Sequence, residues 1–410
     1  MTRRSGGQLL GSVWSMVGIA LVIFAVLNVA AHYHLKSHPK DASELGLFVH
    51  RNDPEGLALR SRIFGTNDVD LLIAYGRSPG IRPHPVLHFG EGESLPHYAV
   101  GIEGVRYLPG WSDDRVAELL HDKRSVWVFG GSTTFGHGVP DGQTVVAHLD
   151  ALDPHDTYLN LSVQAYDSIR EIDKLLYLLR KGYRPKRVIF VDGLNDVTTF
   201  ARSPYGVHDA PRTQGLVLDR GEVPLVFGYP KPENMLLAFA YAFPVTHVAL
   251  DWLGPDPEPG PTGSQVASLR GRDDWQQLMR SHYDWARIHA ADPEPLARDV
   301  VRYYEEAISF VETLARGFEF SAEFVYQPIG LLETGQPFLT DKFRTSDQLV
   351  VYRGVDRRVR QGIASGRLSM SDCSRAIAAR GVADGYVDAT HYSPQGGRRL
   401  AACILAGRAR

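Results

Sequence analysis

Between Ser125 and Gly193 the chain alternates short, wholly apolar runs with segments of helical periodicity, and few folds accommodate that order. SVWVFG (125–130), TYLNLSV (157–163) and KRVIFVDG (186–193) have the length and the β-branched and aromatic content of strands. TVVAHLDAL (144–152) and IREIDKLLYLLRKG (169–182) read as the helices between them. Strands that lack polar alternation are buried on both faces, so the pattern predicts a parallel sheet covered by helices. It resumes with a long helix over 295–317 and a strand over 323–330, then closes with YVD (386–388) and a last helix. Ser393 caps that helix and Pro394 opens it.

The flanks have a different character. From Leu9 to Ala31 the chain runs 23 residues without a charge, enough at about 1.5 Å per residue to cross a bilayer's hydrocarbon core. The expectation is an uncleaved transmembrane anchor. A cleaved signal peptide, with Val29 and Ala31 before the cut, is the alternative, but its apolar region is typically about 7 to 15 residues. Arg3 and Arg4 face Lys36 and Lys40 across the span, and a short N-terminal tail is expected to deliver the downstream chain outward. His32, His34 and His38 read as interfacial polar residues, since no Cys or carboxylate joins them at ligand spacing. The domain plan is therefore a tail and anchor (1–35), a loop-rich lead-in (36–122) and a main domain (123–410) with a Pro- and Gly-rich insertion at about 201–293. Within that insertion Met235 to Leu250 is apolar, but Pro244, His247 and Asp251 favour a buried or lid helix over a second pass, with an interfacial helix lying on the membrane as the other option.

The balance of 44 Lys+Arg against 47 Asp+Glu leaves no basic stripe for a phosphate backbone, which argues against a nucleic-acid partner. Arg353, Arg357, Arg358 and Arg360 have helical spacing and read as a solvated face. Cys373 and Cys403, the two cysteines, could form one bridge outside the cytosol; two buried thiols are the alternative.

Three segments at the ends of expected strands carry chemistry, where an open parallel sheet presents its loops. In FGGSTTFG, Gly130 and Gly131 allow a sharp turn that leaves the Ser132 hydroxyl exposed and its backbone N–H near a helix start. The spacing fits neither a Walker loop nor a dinucleotide loop, and Thr134 breaks the lipase elbow G-x-S-x-G. In DATH, Asp388 lies three residues before His391, so its carboxylate can hold the imidazole's tautomer and orientation. GLND follows the third strand. His137, in FGHG, could touch substrate, though a loop histidine is at least as often idle, and Asp196 reads as structural.

FGGSTTFG, then NLSVQAY, then GLND, then D-x-x-H followed by YSPQG together resemble the SGNH (GDSL-type) hydrolases over roughly Val126 to Arg410, with 201–293 outside the resemblance. The resemblance implies a flavodoxin-like three-layer α/β/α sandwich. It implies Ser132 as nucleophile, His391 as general base and Asp388 as its orienter. The oxyanion hole would be the backbone N–H of Ser132, the side-chain amide of Asn195 and a backbone N–H in the second block, here at Ser162, where the family usually has Gly. Gly131 and Gly193 support these donors, and Gly-Gly-Ser replaces the namesake Gly-Asp-Ser. No cofactor and no metal is needed.

The expectation is a membrane-anchored extracytoplasmic serine esterase of the inner membrane. Its acylated-glycan substrate, an envelope or exported polysaccharide losing acyl groups such as acetyl, is inferred from location, as is an association with polysaccharide-synthesis proteins. The alternatives are an O-acyltransferase using the same serine and a non-catalytic scaffold subunit of a polysaccharide assembly.

Overall fold

A computed structural model describes residues 18, 22–30, 54–77, 81–84, 87–91, 94–201 and 289–408. The chain divides into two compact units, residues 1–45 with 216–258, and residues 46–215 with 259–410. In the first, residues 22–30 are helical, and Val22, Ile23, Phe24, Val26, Leu27 and Val29 are exposed. Among the described residues no helix is long and apolar enough to cross a membrane. Most of the expected span at 9–31, the histidines at 32, 34 and 38, and the expected helix at 235–250 lie outside the described residues.

The second unit holds the sheet. Its helices are α1 (Pro54–Phe64), α2 (Val69–Arg77), α3 (Asp113–His121), α4 (Ser132–Phe135), α5 (Val145–Leu152), α6 (Ser168–Arg180), α7 (Leu194–Ala201), α8 (Glu294–Phe318), α9 (Asp341–Arg344), α10 (Asp347–Ala364) and α11 (Pro394–Arg408). A hairpin, β1 (Ile81–His84) with β2 (His88–Glu91), belongs to the lead-in. The main sheet is β3 (Ser125–Gly130), β4 (Thr157–Asn160), β5 (Arg187–Asp192), β6 (Ser321–Tyr326) and β7 (Ser371–Asp372), in the order β4-β3-β5-β6-β7 with every pair parallel. Counted along the chain this is 2-1-3-4-5, the flavodoxin-like order, whose switch point lies between the first and third strands.

Alternation along the strands builds a core on each face of the sheet. Trp127, Phe129, Val188 and Phe190 pack beneath α3, α6, α7, α8 and α10, while Val126, Val128, Ile189 and Val191 pack against α5 and α11. That makes three layers. α8 presents Leu296, Val300, Val301, Tyr304, Ile308 and Val311 on one buried stripe at helical spacing. Thr144, Asp167 and Ser346 cap α5, α6 and α10, and Ser393 Oγ accepts from Gly396 N at 3.0 Å at the start of α11.

Three sequence expectations shift. β4 ends at Asn160, although Leu161 N and Val163 N still donate to Val128 O (2.9 Å) and Gly130 O (3.0 Å) beyond it. β6 ends at Tyr326 rather than 330, because Pro328 has no N–H to continue the ladder. YVD is not a sheet strand: Tyr386 bridges antiparallel to Tyr392, and the fifth strand is the two-residue Ser371–Asp372. The lead-in also carries structure of its own, with Phe64, Leu72, Tyr75 and Tyr98 packing on Phe135.

Candidate active site

Ser132 opens α4 immediately beyond β3, on the one-turn helix that the Gly130-Gly131 turn permits. A Cβ on Gly130 would meet Thr134 Oγ1 at 2.5 Å, and one on Gly131 would meet Asn195 Nδ2 at 2.1 Å. Both glycines are therefore required by close approach. The turn is held from behind by Arg106, whose guanidinium donates to Phe135 O (3.0 Å), Gly136 O (2.6 Å) and Val139 O (2.6 Å) and pairs with Asp141 at 3.0 Å. No sequence pattern marked Arg106, because its partners lie about 30 residues downstream and it sits in a segment that reads as loop.

His391 reaches Ser132 from the far end of the chain. Its Nε2 is 2.9 Å from Ser132 Oγ, and its Nδ1 is 2.8 Å from Asp388 Oδ2. An ionised carboxylate only accepts, so Nδ1 carries the proton and Nε2 is left as an acceptor for the serine hydroxyl. Asp388 Oδ1 also accepts from Thr390 N (2.8 Å) and His391 N (2.9 Å), locking the loop that delivers the imidazole. That loop is a tight reversal in which Val387 N donates to His391 O and Ser393 N to Gly385 O. His391 and Asp388 are buried and Ser132 is half-buried.

The donors around Ser132 are partly as expected. Asn195, at the start of α7 beyond β5, donates one amide hydrogen to Tyr166 O at 2.6 Å, which leaves the second hydrogen of Nδ2 beside Gly131. Gly193 has φ of 148°, and a Cβ there would meet Gln327 and Tyr326 at 3.2 Å. The Ser132 N–H has no acceptor among the described residues.

Ser162 is a correction. Its N–H donates to Asn160 Oδ1 at 3.2 Å and its hydroxyl to Val128 O at 3.5 Å, so it is consumed by the sheet wall. In the same loop Ala165 is in the left-handed conformation at φ 60°, and its N–H has no acceptor among the described residues. A left-handed residue is ordinarily glycine. Alanine at 165 gives no sign in the sequence of that backbone conformation.

Asp196 accepts from Ser168 N at 3.1 Å and from the Ser168 hydroxyl, joining α7 to α6. Burial, and then Asp167 beside it, push its carboxyl up to about 6. Glu171 and Asp192, buried in the same cluster, are both raised well above the usual carboxylate range, chiefly by desolvation. His137 packs its ring 4.3 Å from that of His391, and its backbone N–H donates to Ser132 O at 2.9 Å. His137, Asp388 and His391 hold ligand-type atoms within 4.8 Å of one another, but two of the three already belong to the hydrogen-bonded row from Ser132. Cys373 and Cys403 are joined by a disulfide. Arg353 and Arg357 are solvent-exposed on α10, while Arg358 pairs with Glu294 and Arg360 with Asp372.

A half-buried hydroxyl bonded to an imidazole that is itself bonded to a carboxylate can act as an activated nucleophile. The row lies at the switch point between β3 and β5, where this topology places ligands.

No protein-family model matches the chain, and no curated protein matches it in sequence. Among solved structures the chain is similar to a member of the lipolytic G-D-S-L family from Veillonella parvula DSM 2008, at 13% identity and a TM-score of 0.36 over 70% of this chain and 98% of that one. It is also similar to an α/β hydrolase enzyme from the metagenome of Lake Arreo, Spain, at 11% identity and a TM-score of 0.35 over 71% and 97%. Likenesses this distant carry no part of the assignment, which rests on the site's own geometry.

Proposed function

We propose that the chain is a serine esterase working through an acyl-serine intermediate, and one observation carries the reading: Ser132 Oγ, His391 Nε2, His391 Nδ1 and Asp388 Oδ2 form a continuous hydrogen-bonded row. His391 Nε2 takes the hydroxyl proton as Ser132 Oγ attacks an ester carbonyl, and Asp388 stabilises the imidazolium that forms. The carbonyl oxygen becomes an oxyanion received by the Ser132 N–H, the Asn195 amide and the Ala165 N–H. Each such donor lowers the barrier by about 3 to 4 kcal/mol. Collapse expels the alcohol, protonated by His391, and leaves the acyl group on Ser132. Water, deprotonated by the same imidazole, then releases the acid and restores the hydroxyl.

The finer reading is a membrane-anchored enzyme outside the plasma membrane that removes short acyl groups, acetyl above all, from an envelope or exported polysaccharide. The charge-free run at 9–31 supports the anchor. The Cys373–Cys403 bond supports an oxidising compartment. The glycan is inferred from that location.

A fluorophosphonate probe tests the chemistry: wild-type protein labels and Ser132→Ala does not. Release of free acetate from acetylated polysaccharide tests the substrate. Acetyl appearing instead on added oligosaccharide would convert the hydrolase into an acyltransferase, and folded protein that never labels would leave a scaffold.

A further inference from the structure

Ser132 and His391 are carried by separate short segments of the chain. α4 is a single turn, and the loop from Gly385 to Ser393 pairs with no strand of the sheet. A third residue joins them. Gln327 directly follows β6; its N–H donates to Asp192 O at 2.9 Å, and its side chain is buried, with the residue 2% exposed. Its Oε1 accepts from Thr133 Oγ1 at 2.7 Å and from Tyr392 Oη at 3.0 Å. Thr133 is the neighbour of Ser132 and Tyr392 is the neighbour of His391. Tyr392 Oη also reaches Pro328 O at 2.6 Å, so its single proton lies between two acceptors of the same turn. The third loop of the site closes on the same side chain, because the missing Cβ of Gly193 leaves room for Gln327 Cγ.

We infer that Gln327 is a positioning residue: one buried amide oxygen ties the residue after Ser132 to the residue after His391 and thereby sets the distance across which the proton moves. This rests on the esterase reading for its catalytic consequence. It does not rest on it for its structural one. Displacement of reacting groups by about 1 Å can lower a rate about 100-fold while leaving substrate binding untouched. The effect should therefore fall on kcat and not on KM. Gln327→Met keeps the length and volume of the side chain and removes the acceptor. Gln327→Glu keeps an acceptor for both hydroxyls.

The experiment combines kinetics on p-nitrophenyl acetate, fluorophosphonate labelling rates and crystal structures of the wild-type chain and of these variants, with Thr133→Val and Tyr392→Phe alone and in the Gln327→Met background. The expected result is a fall in kcat of about 10- to 100-fold for Gln327→Met at nearly constant KM, with most activity kept by Gln327→Glu. Smaller losses are expected for Thr133→Val and Tyr392→Phe, with little further loss when either is added to Gln327→Met. The Ser132 Oγ to His391 Nε2 distance should lengthen beyond hydrogen-bonding range in Gln327→Met. A folded Gln327→Met chain that keeps both that distance and the wild-type labelling rate overturns the inference, as does full additivity of the variants. If Gln327→Met does not fold, the two hydroxyl deletions decide by the same criteria. A wild-type chain that never labels would sink the esterase reading, and the distance in the Gln327→Met crystal would still judge the tie.

Discussion

The side-chain amide nitrogen of Asn195 stands 2.1 Å from the point that a Cβ on residue 131 would occupy, and Tyr166 O, its acceptor, stands 3.0 Å from the same point. Gly131→Ala must therefore push the amide off its acceptor and away from the Ser132 N–H. We expect kcat to fall by about 10²- to 10³-fold, the loss associated with one oxyanion donor, at nearly unchanged KM. Asn195→Ala removes the same donor without the clash and should match it. Steady-state kinetics on an activated acetate ester checks both, and wild-type turnover in Asn195→Ala would remove Asn195 from the hole.

Asp388 holds four groups at once: the imidazole through Oδ2, and the backbone N–H of Thr390, the Thr390 hydroxyl and the backbone N–H of His391 through Oδ1. Asp388→Asn can keep the backbone bonds with its amide oxygen, so the loop should stay folded. Its NH2 group would face His391 Nδ1 as a donor and favour the wrong tautomer. By the logic of serine triads kcat should drop by roughly 10⁴-fold with little change in melting temperature. A drop below tenfold would mean that the carboxylate does not orient the base.

Strands buried on both faces are readable because nothing polar interrupts them, and β3 and β5 fall within a residue of expectation for that reason. β7 is two residues long, too short for any periodicity, and exists because Ser371 and Asp372 pair with Val325 and Tyr326, some 45 residues away. At the site, Ser132, Asn195, Asp388 and His391 were legible because glycine turns and the D-x-x-H spacing are local features. Ala165, proposed above as a further donor, was not, since alanine carries no signal for its left-handed conformation. Arg106 and Gln327 were hidden for another reason: their partners come from distant segments, and an isolated Arg or Gln advertises no role.

Asp196 makes stability depend on pH in a stated direction. In the folded chain burial and Asp167 hold its pKa up to about 6, whereas in the unfolded chain it titrates near 4. Between those values the folded state binds more protons, so this contribution is fully present below about 4 and is lost as pH rises through about 6. The slope from one such group approaches 1.4 kcal/mol per pH unit. Glu171 and Asp192 are displaced in the same direction and carry the decline higher. Asp196→Asn can still accept from Ser168, so it should flatten the curve between about pH 4 and 6 and stabilise the protein at neutral pH. Urea unfolding from pH 4.5 to 7.5 measures this, and parallel curves for variant and wild type would refute it.

The Cys373–Cys403 bond closes a segment 30 residues apart in sequence that contains both Asp388 and His391. Cys373 lies just past β7 and Cys403 on α11, so the bond fastens one end of the base-bearing segment to a helix packed on the sheet. On a chain-entropy account a closed segment of this length contributes about 3 to 4 kcal/mol. The paired variant Cys373→Ala with Cys403→Ala should therefore melt several degrees lower. Activity should begin to fall below the melting transition, because the segment carrying His391 loosens before the sheet does. Cys373 is 1% exposed, so dithiothreitol should act slowly on the native enzyme and quickly once α11 opens. Melting curves and esterase activity followed together across temperature test the order of events. Coincident loss of activity and of fold, or an unchanged melting point in the paired variant, would show that the bond does not govern the base.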